Sequence, residues 1–222
     1  MCGRYLLISP VEAMRRLFDV GGFLNLPPRY NIAPTQEAPV VRLERDGGRE
    51  LVPLRWGLIP SWVKDSSIGN RLINARDDTV AEKPAFRTAF RQRRCLVPAD
   101  GFYEWQARPG GKQPYRIGLA DDGLFAFAGL WEWWKSREGE SLETYTIITT
   151  DANDLLRPIH GRMPVIIDEG DHARWLDPKT APADAKELLK PFPSERMRAV
   201  PVSRHVNNVR NDDPDCIAPL VA

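Results

Sequence analysis

The residue with the most distinctive chemistry in this sequence is Cys2, which directly follows the initiator methionine. Because cysteine is small, Met1 is readily removed, and removal leaves an α-amine and a thiol on adjacent carbon atoms. The amine can condense with an aldehyde to an imine, and the thiol can then close on the imine carbon as a thiazolidine. Reference pKa values of about 7.7–8.0 for the amine and about 8.5 for the thiol suit this reaction near neutrality. The alternative is that Cys2 is a small apolar residue that starts a buried strand.

Two other side chains have the chemistry of proton transfer. Glu104 lies among aromatic residues in the run Gly101–Trp105, where partial removal from water would raise the pKa of its carboxyl group. His160 is held between prolines and a glycine beside Arg162, which fits a proton-transfer group next to an anion contact. Both also have an ordinary interpretation, Glu104 as the outward residue of a half-exposed strand and His160 as a loop residue without a role.

Asn74 and Trp62 could recognise a ligand. Asn74 ends an apolar run, where its amide could orient a reacting group or cap a turn. Trp62 lies on an irregular polar loop and could stack on a nucleobase or pack on a sheet. Glu132, which is also flanked by tryptophans, resembles Glu104 in its local sequence. Neighbouring residues alone therefore do not separate the two carboxylates.

Composition narrows the class of protein. The net charge of +1 means that any anion-binding surface must be a local concentration of arginine. Three widely spaced cysteines and three scattered histidines predict neither a disulfide framework nor a metal site, and fit a reducing compartment. The sequence has no signal-peptide pattern and no apolar run of about 18 residues. We therefore expect a soluble cytoplasmic or nucleoid-side protein that does not bind a membrane.

The hydrophobic pattern predicts an α+β fold built on antiparallel sheet, and 20 prolines keep its elements short. Residues 27–34 are predicted as a rigid loop, residues 46–48 and 112–114 as turns, and Ser9 as the N-cap of a helix. Strands are predicted at residues 3–8, 38–43, 50–56, 95–97, 101–106, 115–119, 124–131, 144–150, 165–167 and 197–202. Helices are predicted at residues 10–18, 84–94, 173–176 and 183–189.

The predicted helix at residues 84–94 has two faces. Apolar residues recur at helical spacing on one face, and Arg87, Arg91 and Arg94 follow the other. This arginine face could be solvated, or it could face phosphates.

Together these motifs resemble the SOS response-associated peptidase (SRAP) family, and the resemblance covers nearly the whole chain. It is carried by Cys2-Gly3-Arg4-Tyr5, Tyr30-Asn31-Ile32-Ala33-Pro34, Trp56-Gly57-Leu58-Ile59-Pro60, Asn74-Ala75-Arg76, Arg94-Cys95-Leu96-Val97-Pro98, Gly101-Phe102-Tyr103-Glu104-Trp105, His160-Gly161-Arg162-Met163-Pro164, and Val202-Ser203 with Val206-Asn207.

The resemblance implies one compact α+β domain over residues 1–222, with curved, barrel-like antiparallel β-sheets, short flanking helices and a positively charged channel for DNA. It implies that the protein senses abasic sites in single-stranded DNA. The N-terminal cysteine, freed by autocatalytic removal of Met1, would form a thiazolidine crosslink that shields the lesion during the DNA damage response. We expect a monomer that needs no cofactor and no metal.

The resemblance also implies residue roles. Cys2 would be the nucleophile through its amine and thiol, and Asn74 would position it against the ring-opened sugar. Glu104 would exchange protons during imine and ring formation and act in methionine removal. His160 would protonate the ribose oxygen to open the sugar and assist reversal of the crosslink.

The implied DNA contacts are Arg4, Arg76 and Arg162, which would hold phosphates by charge-assisted hydrogen bonds. Trp62 would lie in the DNA-wedging region. The match is loose there, because the family often has two adjacent aromatic residues where this chain has Trp62-Val63.

Two other classes of function stay open. One is a cysteine peptidase that acts on other proteins, with Cys2, His160 and a carboxylate as its triad. The other is a non-catalytic single-stranded DNA-binding protein in which Cys2 is structural.

Overall fold

Short strands dominate the structure, a computed structural model that describes residues 2–21, 25–44 and 47–220. The strands are β1 (Tyr5–Leu7), β2 (Arg29–Ile32), β3 (Glu37–Leu43), β4 (Arg49–Trp56), β5 (Asn74–Arg76), β6 (Arg94–Ala99), β7 (Gly101–Arg108), β8 (Gly111–Leu119), β9 (Phe125–Lys135), β10 (Ser141–Asp151), β11 (Arg162–Pro164), β12 (Ile166–Ile167) and β13 (Met197–Pro201). The α-helices are α1 (Val11–Phe18), α2 (Arg87–Gln92), α3 (His172–Leu176) and α4 (Pro182–Lys186). Short 3₁₀-helices lie at Ser66–Arg71, Glu169–Asp171, Ser194–Arg196, Arg204–Asn207 and Pro214–Ile217.

Five strands close into a barrel in the order β10-β4-β3-β6-β9, and β9 pairs with β10 again. All of these pairings are antiparallel except β10 with β4. The side chains inside are large and apolar, and Trp56 and Phe127 are fully buried. Strand β5 pairs in parallel with β10, in the register Asn74 with Ile147, and so extends the sheet beyond the end of β4.

A second antiparallel sheet has the order β13-β8-β7-β1-β2. Strand β1 lies inside this sheet, so both of its edges are hydrogen-bonded. Tyr5 and Leu7 pack in the large core shared with the barrel, while Leu6 packs with Tyr103 in a smaller cluster on the other face. This alternation follows the two-residue period of a strand.

Tyr5 joins the two sheets. Its hydroxyl group lies 2.7 Å from the hydroxyl group of Tyr145 in a buried hydrogen bond. Its ring makes edge contacts with Trp56 and Phe127, at centroid distances of 5.3 and 5.9 Å. The start of the chain is therefore fixed against the barrel.

The prediction of an α+β fold on curved, barrel-like antiparallel sheets is confirmed. Helix α1 ends at Phe18 as predicted, but Ser9 is not its N-cap. Pro10 occupies that position, and the Ser9 hydroxyl donates instead to the Asp100 carboxylate. Among the described residues, no helix is both long and apolar enough to span a membrane.

Two segments predicted as loop or turn are strands. Residues 29–32 form β2, whose Asn31 backbone N–H donates to the distant Asp212 carboxylate. Residues 112–114 lie within β8, paired with β7. In both places the local residues favour a turn, but pairing with residues far away in the sequence stabilises a strand instead. The turn predicted at residues 46–48 lies partly outside the described residues.

Arg94 contradicts the prediction of an arginine-lined helix face. Helix α2 ends at Gln92, and Arg94 starts β6 with only 3% of its surface exposed. Its guanidinium group donates to the carbonyl oxygens of Phe90 and Trp175, at 2.7 and 2.6 Å, and to that of Asp177. Arg94 therefore ties α2 and β6 to the end of α3 and does not face DNA.

We predict that Arg94→Met lowers the free energy of unfolding by about 2–4 kcal/mol, because it leaves several buried carbonyl oxygens without a donor. Urea denaturation measures this change. Arg91→Ala is the matched control, since Arg91 is exposed on the same helix, and it should change the free energy by no more than about 0.5 kcal/mol. Equal effects of the two substitutions would contradict the assigned role of Arg94.

Candidate active site

The register of β1 and β7 brings Glu104 beside the start of the chain. Tyr5 pairs with Phe102, and the backbone N–H of Tyr103 donates to the carbonyl oxygen of Arg4 at 2.9 Å. Continuing this antiparallel ladder places Glu104 opposite the residues that precede Arg4. The alternation along β7 puts Glu104 on the same face as Phe102, toward Cys2.

Cys2 and Glu104 are both buried, with 0% and 3% of their surfaces exposed. Burial raises the pKa of the Glu104 carboxyl group, and the nearby His160 opposes this shift. Burial also raises the pKa of the Cys2 thiol, and the negative charge of Glu104 raises it further. The interpretation of Glu104 as an outward residue of a half-exposed strand is therefore wrong. The pair favours a protonated thiol beside a carboxyl group able to exchange protons.

His160 lies on the loop between β10 and β11, on the other side of Glu104. Its Nδ1 lies 3.0 Å from the backbone nitrogen of Arg162 and 3.1 Å from the Arg162 carbonyl oxygen, so Nδ1 can accept from the first or donate to the second. The loop is held to β7 by Gln106, whose amide donates to the Pro158 carbonyl oxygen at 2.9 Å.

A surface cleft of about 470 Å³ gives access to Glu104 and His160. It is lined by Arg4, Glu104, Trp105, Lys112, His160 and Asn207. The indole N–H of Trp105 donates to the side-chain oxygen of Asn207 at 2.7 Å, which fixes one wall. The cleft thus combines a proton donor, a proton acceptor and two cationic side chains.

Arg4 is held in this cleft by uncharged partners. Its guanidinium group donates to the Asn31 side-chain oxygen at 2.7 Å and to the Val206 carbonyl oxygen at 2.9 Å. It also lies over the Trp105 ring, 5.8 Å from the centroid. No described carboxylate forms an ion pair with Arg4, so its positive charge remains to attract an anion.

Asn74 starts β5 at the edge of the barrel sheet. Its amide nitrogen lies 3.5 Å from the carbonyl oxygen of Ile147, at the limit of a hydrogen bond. Its side-chain oxygen is buried and accepts no hydrogen bond from a described residue. Because most buried side-chain acceptors in proteins are hydrogen-bonded, this oxygen is a candidate to bind a ligand group.

Arg76 and Arg162 both form ion pairs. Arg76 is half exposed and pairs with Asp78 at 2.7 Å. Arg162 is only 14% exposed in its side chain and binds Asp77 and Asp151 at 2.7 and 2.8 Å. A phosphate group would have to compete with these carboxylates, most strongly at Arg162.

Trp62 projects from its loop with 64% of its surface exposed, so it does not pack on the sheet. The loop is fastened at both ends. The Trp134 indole N–H donates to the Val63 carbonyl oxygen at 2.8 Å, and the backbone of Gly57 meets that of Gly69. At Gly57, φ is +122° and a Cβ atom would lie 2.5 Å from the Gly69 carbonyl oxygen, so only glycine fits.

Comparison with known proteins identifies the family of this chain. The family profile described as "SOS response associated peptidase (SRAP)" matches residues 1–209. The chain belongs to the SRAP family. It is 45% identical to "Abasic site processing protein YoqW" of Bacillus subtilis over 223 residues, which cover 98% of this chain and 99% of that protein. It is 39% identical to "Abasic site processing protein HMCES" of Gallus gallus over 226 residues, which cover 87% of this chain and 66% of that protein.

The solved structures agree with this assignment. A crystal structure of a protein from Bacteroides thetaiotaomicron superposes with a TM-score of 0.90 at 30% sequence identity. The match covers 99% of this chain and 100% of that one. The resemblance to the SRAP family inferred from the motifs is therefore confirmed.

The structure also explains what separates Glu104 from Glu132 in this SRAP protein. Glu132 is equally buried, but its carboxylate forms an ion pair with Arg93 at 2.7 Å. At Glu104 burial raises the pKa of the carboxyl group, and its neighbours include His160 and the Cys2 thiol. The difference depends on the fold, because both carboxylates lie between aromatic residues in the sequence.

Sequence reasoning missed three residues that shape the cleft. Lys112 was placed in a turn, and Trp105 and Asn207 were recognised only as parts of family motifs. Asn31 was missed as well. It is fully buried, and its amide nitrogen contacts carbonyl oxygens of the segment after β13, at Val206, Asn208 and Asn211. A buried Asn in the motif Tyr30–Pro34 was the one available signal.

We predict that Glu104→Gln removes a pH-dependent loss of stability. Because the folded-state pKa of Glu104 is raised, the folded protein holds a proton that the unfolded chain releases above about pH 4.3. The free energy of unfolding of the unmodified protein should therefore fall, relative to Glu104→Gln, as pH rises from there through the folded-state pKa. The slope should be at most about 1.4 kcal/mol per pH unit. Urea denaturation at a series of pH values measures the difference, and parallel curves would contradict the raised pKa.

Proposed function

We propose that this protein captures abasic sites in single-stranded DNA as a covalent thiazolidine formed by Cys2 after removal of Met1. The observation that carries the proposal is the position of the Cys2 thiol beside Glu104, with His160 and Arg4 in the same cleft. Membership of the SRAP family supports it, since relatives of nearly full-length similarity are named for abasic site processing. The crosslink would shield the lesion from strand cleavage during the DNA damage response.

The proposed reaction has three steps, the opening of the sugar, the formation of an imine and the closure of a ring. An abasic deoxyribose is in equilibrium with a ring-opened aldehyde, and the missing base leaves its sugar accessible. The Cys2 amine adds to the aldehyde carbon, and loss of one water gives the imine. The Cys2 sulfur then bonds to the imine carbon, its proton passes to Glu104, and the nitrogen receives a proton. The product is a five-membered ring, and no oxidant or reductant is consumed.

Glu104 suits both proton transfers because its pKa is raised. A carboxyl group that ionises closer to neutral pH can donate a proton to the leaving water and then accept one from the thiol. The thiol needs such an acceptor, since burial and the Glu104 charge keep it protonated. The same carboxyl group is our candidate for the hydrolysis of the Met1–Cys2 peptide bond, in which water supplies the new amine and acid ends.

His160 is proposed to open the sugar. In its protonated form, His160 would donate a proton from Nε2 to the ring oxygen as the bond between that oxygen and the anomeric carbon breaks, while the hemiacetal hydroxyl group gives up its proton to water. The products are the open aldehyde and a neutral imidazole. The reverse transfer would assist closure of the sugar when the crosslink is released.

Asn74 is proposed to position the reactants. Its buried side-chain oxygen, which has no described donor, could accept a hydrogen bond from the Cys2 amine or from a sugar hydroxyl. This role fits a side chain whose buried oxygen atom accepts no hydrogen bond from a described residue.

The three arginines differ in how readily each could bind a phosphate group of DNA. Arg4 has only uncharged hydrogen-bond partners and lines the cleft, so we propose that it binds the phosphate nearest the lesion. Arg76 and Arg162 would contribute by exchanging a carboxylate partner for a phosphate, more easily for the exposed Arg76. Trp62 would stack on a base beside the lesion.

We predict that Cys2→Ala forms no denaturant-resistant complex with an abasic single-stranded oligonucleotide, while its non-covalent affinity stays within about twofold, because Arg4 and the other cations remain. Denaturing electrophoresis and fluorescence anisotropy measure the two quantities. After removal of Met1 this variant keeps an α-amine, so borohydride should trap its imine. The reductant therefore separates the role of the amine from that of the thiol.

Cys95→Ala is the matched control for this experiment. Cys95 is fully buried in the barrel, so its removal should leave crosslinking intact. Equal crosslinking by Cys2→Ala without borohydride would contradict the mechanism. Cleavage of unrelated peptides that depends on Cys2 would favour the peptidase alternative, and binding without any covalent product would favour the simple DNA-binding protein.

We predict that Trp62→Ala weakens non-covalent binding of single-stranded DNA by about 1–3 kcal/mol, the usual contribution of one base stacked on an aromatic ring. Trp133→Ala is the control, because Trp133 is also exposed, at 48%, but lies on β9 outside this loop. Fluorescence anisotropy with an oligonucleotide of fixed length measures both. The same loss for both variants, or none for Trp62→Ala, would contradict a stacking role.

A further inference from the structure

The segment after β13 brings together three side chains that the proposed reaction does not use. His205 Nε2 lies 3.0 Å from both carboxylate oxygens of Asp213. One ligand atom from each of His205, Asp213 and Cys216 lies within 4.8 Å of the others. We propose that these three residues form a Zn²⁺-binding site. The scattered histidines of the sequence had predicted no metal site, so this proposal departs from that expectation.

The donor set suits zinc. Imidazole nitrogen, carboxylate oxygen and thiolate sulfur are all common zinc ligands, and three protein ligands leave a fourth tetrahedral position for water. A carboxylate and a thiolate balance the two positive charges of the ion. The Cys216 residue is fully buried and His205 and Asp213 are partly exposed, so the sulfur would be shielded while the ion could still enter.

The ion pairs around the cluster indicate that Asp213, and not the neighbouring Asp212, is the carboxylate available to bind zinc. Asp212 is already committed, since it pairs with the Arg29 guanidinium group and accepts the backbone N–H of Asn31. Asp213 forms no ion pair with a described lysine or arginine, and its carboxylate contacts His205 and the backbone N–H of Asp215. Its charge is thus available to a cation.

Binding requires a defined movement of protons. In the free protein the Cys216 thiol donates to the Asn211 carbonyl oxygen at 3.4 Å, and binding would release this proton to solvent. The His205 Nδ1 lies 3.1 Å from the Asn211 side-chain nitrogen, which places the imidazole proton on Nε2. Coordination through Nε2 moves that proton to Nδ1, and rotation of the Asn211 side chain offers its oxygen as acceptor. Zinc is neither oxidised nor reduced.

The site would fix one wall of the cleft. Zinc would link the 3₁₀ segment Arg204–Asn207 to the segment Pro214–Ile217 and its N-cap Asp213. The first segment contains the Val206 carbonyl oxygen, which accepts hydrogen bonds from Arg4 and Asn31. Asn207, which holds Trp105, lies in the first of these segments. Occupancy would therefore stabilise the folded protein in proportion to the zinc concentration.

Cobalt titration of the full-length protein tests the proposal, because a thiolate ligand gives Co²⁺ a charge-transfer band and tetrahedral geometry gives strong visible bands. The titration is done in a Cys2→Ala background, since the aminothiol of Cys2 is itself a metal ligand. We expect one equivalent of Co²⁺ with both signatures, displaced by Zn²⁺, and a rise in melting temperature with added zinc.

Cys216→Ala and His205→Ala in the same background should each weaken zinc binding by at least about 100-fold. Mutation of a residue that only hydrogen-bonds to a metal ligand already lowers metal affinity about 10–100-fold. Cys95→Ala should bind as before. A spectrum without the thiolate band, or zinc affinity unchanged in both ligand variants, would overturn the proposal. The cobalt spectrum needs no ligand variant, so poor folding of Cys216→Ala would not leave the question open.

Discussion

The site depends on β1, an inner strand of the five-stranded sheet, which is buried where that sheet packs against the barrel. The Tyr5 and Tyr145 hydroxyl groups form a hydrogen bond with each other inside the core, where neither can bind water. Breaking this pair would leave a buried polar group unsatisfied, at a cost of about 1–3 kcal/mol. The aromatic rings packed around Tyr5 fix the strand laterally, and the ladder with β7 fixes its register. Cys2 precedes this anchor by three residues, so its position beside Glu104 follows from how Tyr5 packs.

Burial of this region also shifts the pKa of Glu104. A carboxyl group placed on an interior face loses water, and its pKa rises because the charged form is penalised. Glu132 is buried as well, but its carboxylate forms an ion pair with Arg93. The neighbours of Glu104 include His160 and the Cys2 thiol, both of which can exchange protons. Under the proposed function, stability and reactivity would be linked at this residue, as at many active sites.

Much of the fold could be predicted from the sequence, because most strands are apolar runs bounded by turn residues and α1 has a regular apolar face. The failures share one physical cause, a partner far away in the chain. Residues 29–32 become a strand beside β1 and Asp212, Ser9 binds Asp100, and Arg94 binds carbonyl oxygens beyond residue 170. The site was predictable only as a set of motifs. Neither the burial of Glu104 nor the cluster at His205 can be read from neighbouring residues.

The most direct test of the central claim is the intact mass of the purified protein before and after incubation with a single-stranded oligonucleotide that carries one abasic site. The account predicts a protein that lacks Met1, and then a product whose mass is the sum of protein and oligonucleotide minus one water. Retention of Met1 would contradict the account, because the aminothiol would never form. Loss of Met1 without an adduct would show that Cys2 is freed but does not capture the lesion.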